Sequence, residues 1–285
     1  MDQRIIDLYD EYTHAPLPRR VFLERLTALV GGAAAIPAIL ASIEPNYANA
    51  AMVAADDARI TAAKISYPGA GGDIAGYLAR PKAADKAPAV IVIHENRGLN
   101  AYVEDVARRL AAAGFLALAP DLLSPLGGTP SDPDKARDMI GQLDAAKTVA
   151  HLVATVGFLG AHANGTGKVG VVGFCWGGGM VNRLAIASSD LKAGVAFYGP
   201  TPDPAAVGGI KAALLLHYAG LDQRINATVP AYGEALAKAG VAHQIHMYDG
   251  VNHAFHNDTS AERYNKDAAD LAWTRSLEFF KAKLG

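Results

Sequence analysis

The run Lys168-Val-Gly-Val-Val-Gly173-Phe-Cys175-Trp-Gly177-Gly178-Gly179 constrains the fold more than any other stretch of the chain. It is an apolar, β-type run that ends in G-x-C-x-G and opens directly into a helical pattern. A side chain on so sharp a strand-to-helix turn sits in a strained backbone conformation costing about 1–3 kcal/mol. The residues two before and two after it meet neighbouring backbone, so glycine is needed at both. The turn lifts Cys175 above the carboxyl edge of a sheet. It also sets the amide of Trp176 at a helix N-terminus, where an oxyanion can be held. A lone cysteine is commonly a buried small hydrophobe, but the strand, glycines and helix together favour a nucleophile. Phosphate-binding readings of the glycines fail, because neither G-x-x-x-x-G-K-[ST] nor a full dinucleotide fingerprint is present.

Around this elbow, β-rich runs at 60–67, 74–79, 89–94, 115–120, 169–173, 193–198, 212–218 and 243–248 alternate with helical patterns at 103–113, 133–159, 178–187, 229–239 and 261–284. Several strands are unbroken apolar runs, as expected where both faces are buried. The alternation implies a mostly parallel eight-stranded sheet with right-handed crossovers and helices on both faces. The glycine-rich turn at 69–72 makes the first two strands an antiparallel hairpin. No linker divides 60–285, so one α/β domain is expected over 51–285. With 285 residues, 51% of them hydrophobic, the chain can bury a core without a staple. Its single cysteine excludes a disulfide framework and a multi-thiolate zinc site. Its 26 basic and 28 acidic residues leave no electrostatic footprint for nucleic acid. No metal and no cofactor is expected.

A nucleophile after the fifth strand calls for an acid and a base after later strands, in that chain order. The seventh strand is followed by Asp222 and the eighth by His253. Both fall on loops at strand carboxyl ends, where open α/β sheets bind ligands. His253 would take the thiol proton and return it to the leaving oxygen. Asp222 would hold the imidazole tautomer and stabilise its charged form. Each has a plainer reading: Asp222 as a turn or N-cap residue, His253 as a surface histidine or, with His256, a metal ligand.

These pieces resemble the dienelactone hydrolase family, cysteine-dependent members of the α/β-hydrolase fold, over nearly all of 60–285. The matching stretches are HENRG at 94–98, APDLL at 119–123, GFCWGG at 173–178, AGLD at 219–222 and GVNHAF at 250–255. The resemblance implies Cys175, Asp222 and His253 as nucleophile, acid and base. It implies that Glu95 holds the resting thiol and helps convert it to thiolate. It also implies an oxyanion hole from the backbone amides of Asn96 and Trp176. A carboxylate at a strand end beside a nucleophile is costly unless functional or paired, which fits the role implied for Glu95; its plainer reading is a surface carboxylate paired with Arg97. Dienelactone-cleaving members carry an arginine four residues after the histidine to grip a substrate carboxylate, and here that position is Asn257. Arg97, Arg137 and Arg263 are the substitutes considered, and the polar stretch 257–265 either lines the pocket or is an ordinary loop and cap.

Residues 1–50 differ in kind. Arg19-Arg20 precede Val21-Phe22-Leu23, an apolar stretch at 26–40, and then Ala48-Asn49-Ala50. This resembles a twin-arginine export signal, with Glu24 as a departure, and implies the export machinery as partner and a periplasmic location. The apolar stretch is too short for a stable membrane span. The alternative is an amphipathic N-terminal arm that packs on the body or on a partner subunit, with a cytoplasmic location. The activity expected is hydrolysis of small esters or lactones through an acyl-enzyme. The competing expectations are a non-hydrolytic thiol or ligand-binding protein on a hydrolase scaffold, and a dehalogenase-like use of the fold. No second cysteine is present to resolve a sulfenic acid, which counts against a redox sensor.

Overall fold

The structure, a computed structural model, describes residues 1–15, 17–47 and 51–285. The Ala48-Asn49-Ala50 pattern lies outside the described residues. The β-rich runs form β1 (Ile60–Pro68), β2 (Asp73–Pro81), β3 (Ala87–Ile93), β4 (Leu116–Pro120), β5 (Gly165–Phe174), β6 (Ala193–Phe197), β7 (Ala213–Ala219) and β8 (His243–Tyr248). They make one eight-stranded sheet in the order β1-β2-β4-β3-β5-β6-β7-β8. β2 runs antiparallel to β1 and β4, and the pairings from β4 through β8 are parallel. Gly69 N–H donates to Gly72 O at 2.9 Å to close the hairpin turn.

Alternate residues of β3 explain the unbroken apolar runs: Val90 and Val92 pack into one core, Ala89, Ile91 and Ile93 into the other. Helices α4 (Ala101–Ala112) and α10 (Lys266–Leu284) cover the first face. The second is covered by α6 (Ala145–Gly160), α7 (Trp176–Ala187) and α9 (Val229–Lys238). The helix expected over 133–159 is two, α5 (Pro133–Ile140) and α6, because Asp144 after Gly141 caps α6 by accepting from Lys147 N–H at 2.9 Å. The one expected from 261 starts at Lys266, where Asn265 accepts from Ala268 N–H, so 261–264 is left in a loop beside the site. A one-turn helix, α8 (Gln223–Asn226), follows β7.

Residues 3–43 form α1 (Gln3–His14), α2 (Arg19–Val30) and α3 (Ile36–Ile43), with a cluster of their own around Tyr9, Tyr12, Phe22, Leu26 and Ile43. Gly31, at φ +76°, ends α2, and the chain bends by 110° before its next helical segment. No single helix among the described residues is long and apolar enough to cross a membrane. Arg19 of the arginine pair bonds Asp134 on α5 at 2.6 Å, while the exposed Arg20 sits 3.4 Å from Glu24. Further ties to the body are Gln3 Nε2 to Asn252 Oδ1 at 2.6 Å, Arg263 to Asp10 at 3.3 Å and Ser260 Oγ to Ile43 O at 2.8 Å. These bonds lay α1 across the carboxyl edge of the sheet.

Candidate active site

Cys175 is the residue between β5 and α7, and it has φ +56°, a conformation that side chains rarely adopt. The glycines on either side answer to close packing. A Cβ at Gly173 would lie well under 3.0 Å from the Gly177 carbonyl oxygen, and one at Gly177 equally close to the His94 carbonyl. Cys175 N–H donates to Phe197 O at 3.0 Å, which pins the elbow to β6.

Asp222 and His253 come from the loops after β7 and β8, which are tied together by Gly220 N–H to Tyr248 O at 2.7 Å and Leu221 N–H to Val251 O at 3.0 Å. His253 Nδ1 donates to Asp222 Oδ2 at 2.6 Å. The other oxygen, Oδ1, accepts from Ile225 N–H at 3.2 Å, so Asp222 is also the N-cap of α8. Burial opposes charge on His253, but the Cys175 sulfur, once it is a thiolate, and the Asp222 carboxylate outweigh it and raise its pKa to about 10. Burial likewise opposes the Asp222 carboxylate, and the bond to His253 more than offsets it, leaving its pKa below the usual range. His253 Nε2 is buried and has no hydrogen-bond partner among the described residues.

The nearest partner of Cys175 is one that sequence reasoning missed. His14, the last residue of α1, sets Nε2 3.0 Å from Cys175 Sγ, and its ring meets that of His253 edge-on at 4.5 Å. No local pattern marks His14, since the contact spans 161 positions. Ligand atoms of His14, Cys175 and His253 lie within 4.8 Å of one another, a spacing that could hold a soft divalent cation. His256 stands apart from this group, bonded to the Tyr102 hydroxyl at 2.7 Å and stacked on Phe174.

Glu95 lines a small cavity with Cys175 and His253, but its hydrogen bond goes elsewhere. Its Oε2 accepts from Asn257 Nδ2 at 2.7 Å, and among the described residues no hydrogen bond joins it to Cys175 or Arg97. Burial raises its pKa, and its Oε1 is unpartnered among the described residues. Asn257 is fully buried, with its Oδ1 accepting from Thr259. Arg97 bonds Asp134 at 2.8 Å, and Arg263 bonds Ser260 and Asp10.

A cavity of about 800 Å³ opens over Cys175. Asn96 and Trp176 line it beside the sulfur, α1 and α2 form one wall through Tyr12, His14 and Arg19, and Ile140 closes another side. Of the arginines considered from sequence, Arg137 lines this cavity, while Arg97 and Arg263 line a smaller one beside it that also takes in Cys175, His253 and Glu95; Asn257 lines neither. Arg224 on α8 also lines it, two residues after Asp222, and it has no ion-pair partner among the described residues. Its nearness to Asp222 in sequence was the available signal.

Comparison with known proteins matches the dienelactone hydrolase family model to residues 74–284. A Salmonella typhi protein named "Putative carboxymethylenebutenolidase" is 31% identical over 245 residues, covering 80% of this chain and 90% of its own. The crystal structure of a dienelactone hydrolase-like promiscuous phosphotriesterase from metagenomic libraries superposes with a TM-score of 0.72 at 26% identity, over 80% of this chain and 100% of that one. A dienelactone hydrolase from Anabaena variabilis shares the fold, with a TM-score of 0.62 at 22% identity over 80% of this chain and 100% of its own. The chain belongs to the dienelactone hydrolase family and is a carboxylic ester or lactone hydrolase of the α/β-hydrolase fold.

Proposed function

We propose that the protein cleaves small esters or lactones through an acyl-enzyme on Cys175, with His253 as base and Asp222 as its orienting acid. The observation that supports this most is the joint placement of a strained cysteine elbow, a buried Asp222–His253 pair and a cavity holding the sulfur. With Nδ1 donating to Asp222, His253 presents a lone pair at Nε2 to accept the thiol proton. The thiolate adds to the substrate carbonyl, and the backbone amides of Asn96 and Trp176 would hold the oxyanion. Collapse expels the alkoxide or enolate, which takes the proton from His253. Water then loses a proton to His253, attacks the thioester and releases the acid, and the sulfur recovers its proton. A lactone would keep its leaving group tethered to the acyl chain.

Ester and enol-lactone turnover by purified Cys175→Ala and His253→Ala is the test. Each should lose at least about 100-fold in kcat, since loss of one oxyanion donor alone costs about 10²–10³. Activity within tenfold of wild type in either variant would overturn the reading. Cysteine alkylation without ester turnover in the wild type would favour the non-hydrolytic alternative instead.

A further inference from the structure

Two imidazoles face the Cys175 sulfur, and each has its other ring nitrogen already engaged. His14 Nδ1 lies 2.8 Å from the Asp10 carbonyl oxygen, which can only accept. The proton therefore sits on Nδ1, and Nε2 turns a lone pair toward Sγ at 3.0 Å. Thr13 does not disturb this assignment, because its hydroxyl donates to Tyr9 O at 3.0 Å. His253 Nδ1–H is likewise given to Asp222, and its buried Nε2 is left unpartnered among the described residues. A thiol has a single proton and gives it to a single acceptor at a time. In this arrangement the acceptor is His14.

We infer that His14 is a positioning residue that holds the resting Cys175 thiol through an S–H···Nε2 bond, in the role the family resemblance implied for Glu95. The inference rests on the nucleophile reading above. Glu95 shares a small cavity with Cys175, but its one hydrogen bond goes to Asn257 and its other oxygen has no partner among the described residues, so in this arrangement the sulfur is held by His14 and not by Glu95. His14 also remains an acceptor without becoming a base. Burial keeps its pKa well below the ordinary imidazole value, and an imidazolium at His253, once formed, lowers it further, although the Asp10 carbonyl pulls the other way. A lone pair facing the sulfur favours thiol over thiolate. When a substrate acyl group enters the cavity that His14 lines, it takes the imidazole's place beside the sulfur. The S–H bond then turns to His253 Nε2, the proton transfers, and thiolate and imidazolium remain. No atom or electron is gained or lost. His14 precedes the family match at 74–284, so this contact is supplied by the chain's own N-terminal helix.

The test is the rate of Cys175 alkylation by iodoacetamide at pH 6.5 on the full chain. His14→Phe keeps a ring without the acceptor, and His14→Met covers the case in which Phe fails to pack. Both should raise the alkylation rate at least tenfold, because the thiol is left with His253 as its acceptor. Glu95→Gln should stay within twofold of wild type. A rise in Glu95→Gln with both His14 variants within twofold would overturn the inference, as would no rise in any of the three. His253→Ala separates the two readings. If the nucleophile reading fails, this variant keeps both alkylation and ester turnover. If only the His14 inference fails, His253→Ala loses both while the His14 variants match wild type.

Discussion

Asp222 divides its carboxylate between two tasks, with Oδ2 on His253 and Oδ1 on the Ile225 amide. The two plain and functional readings of this residue are therefore compatible rather than competing. Asparagine is as good an N-cap as aspartate, so Asp222→Asn should keep the start of α8. With its one oxygen on the Ile225 amide, its NH2 group faces His253 Nδ1–H, and the imidazole loses both its acceptor and the charge that stabilises an imidazolium. We expect kcat to fall at least about 100-fold, with a stability loss of about 1–3 kcal/mol from the lost buried bond. A kcat within tenfold of wild type would mean the residue acts only as a cap. At this scale the sequence located Cys175, Asp222 and His253, because each closes a strand whose pattern is local. It could not locate His14, whose partner lies 161 positions away, nor the turning of Glu95 toward Asn257, 162 positions away.

The elbow depends on elements meeting at backbone distance. Gly177 packs its Cα against the carbonyl of His94 at the end of β3, where a methyl group has no side chain to push aside. Gly177→Ala should cost at least about 2 kcal/mol in denaturant unfolding, the scale of core overpacking, and lower turnover by displacing Cys175. Gly157, toward the end of α6, is the control, since nothing lies within 4 Å of a Cβ built there. Gly157→Ala should stabilise by about 0.5–1 kcal/mol through helix propensity. Equal effects at the two glycines would contradict the close-approach argument. The strands and the hairpin were legible because burial on both faces leaves apolar runs and the turn needs glycine. The break between α5 and α6 was harder to see, since the apolar pattern continues across Gly141-Gln142-Leu143-Asp144 and only the Asp144 cap interrupts it.

Across the whole molecule, Asp134 joins the N-terminal helices to the sheet domain. Its carboxylate accepts from the Tyr12 hydroxyl at 2.9 Å, Arg19 at 2.6 Å and Arg97 at 2.8 Å, so residues from α1, α2 and the loop after β3 meet on α5. None of these partners was predictable from local pattern, because the pairings link segments separated by 37 to 122 positions. The sequence accordingly read residues 1–50 as either a leader or an arm without placing either against the site. Asp134→Asn keeps the shape and removes the charge. It should speed hydrogen exchange in α1 and α2 at least tenfold while leaving β3 and β5–β7 at wild-type protection, the pattern of local rather than global opening. The pH dependence follows from the carboxylate. Burial works against its ionisation, but Arg97, Tyr12 and Arg19 outweigh it and hold its pKa below the ordinary 3.8. A depressed carboxylate stabilises docking above its unfolded value and loses that contribution as the pH falls through the folded one. The wild type should therefore converge on the variant's exchange rates below about pH 3.8 and differ from it most near neutrality. If α1 exchanges equally fast in both proteins at pH 7, Asp134 does not hold the helix over the site, and the wall of the cavity must rest on the contacts of Asp10 and Gln3 instead.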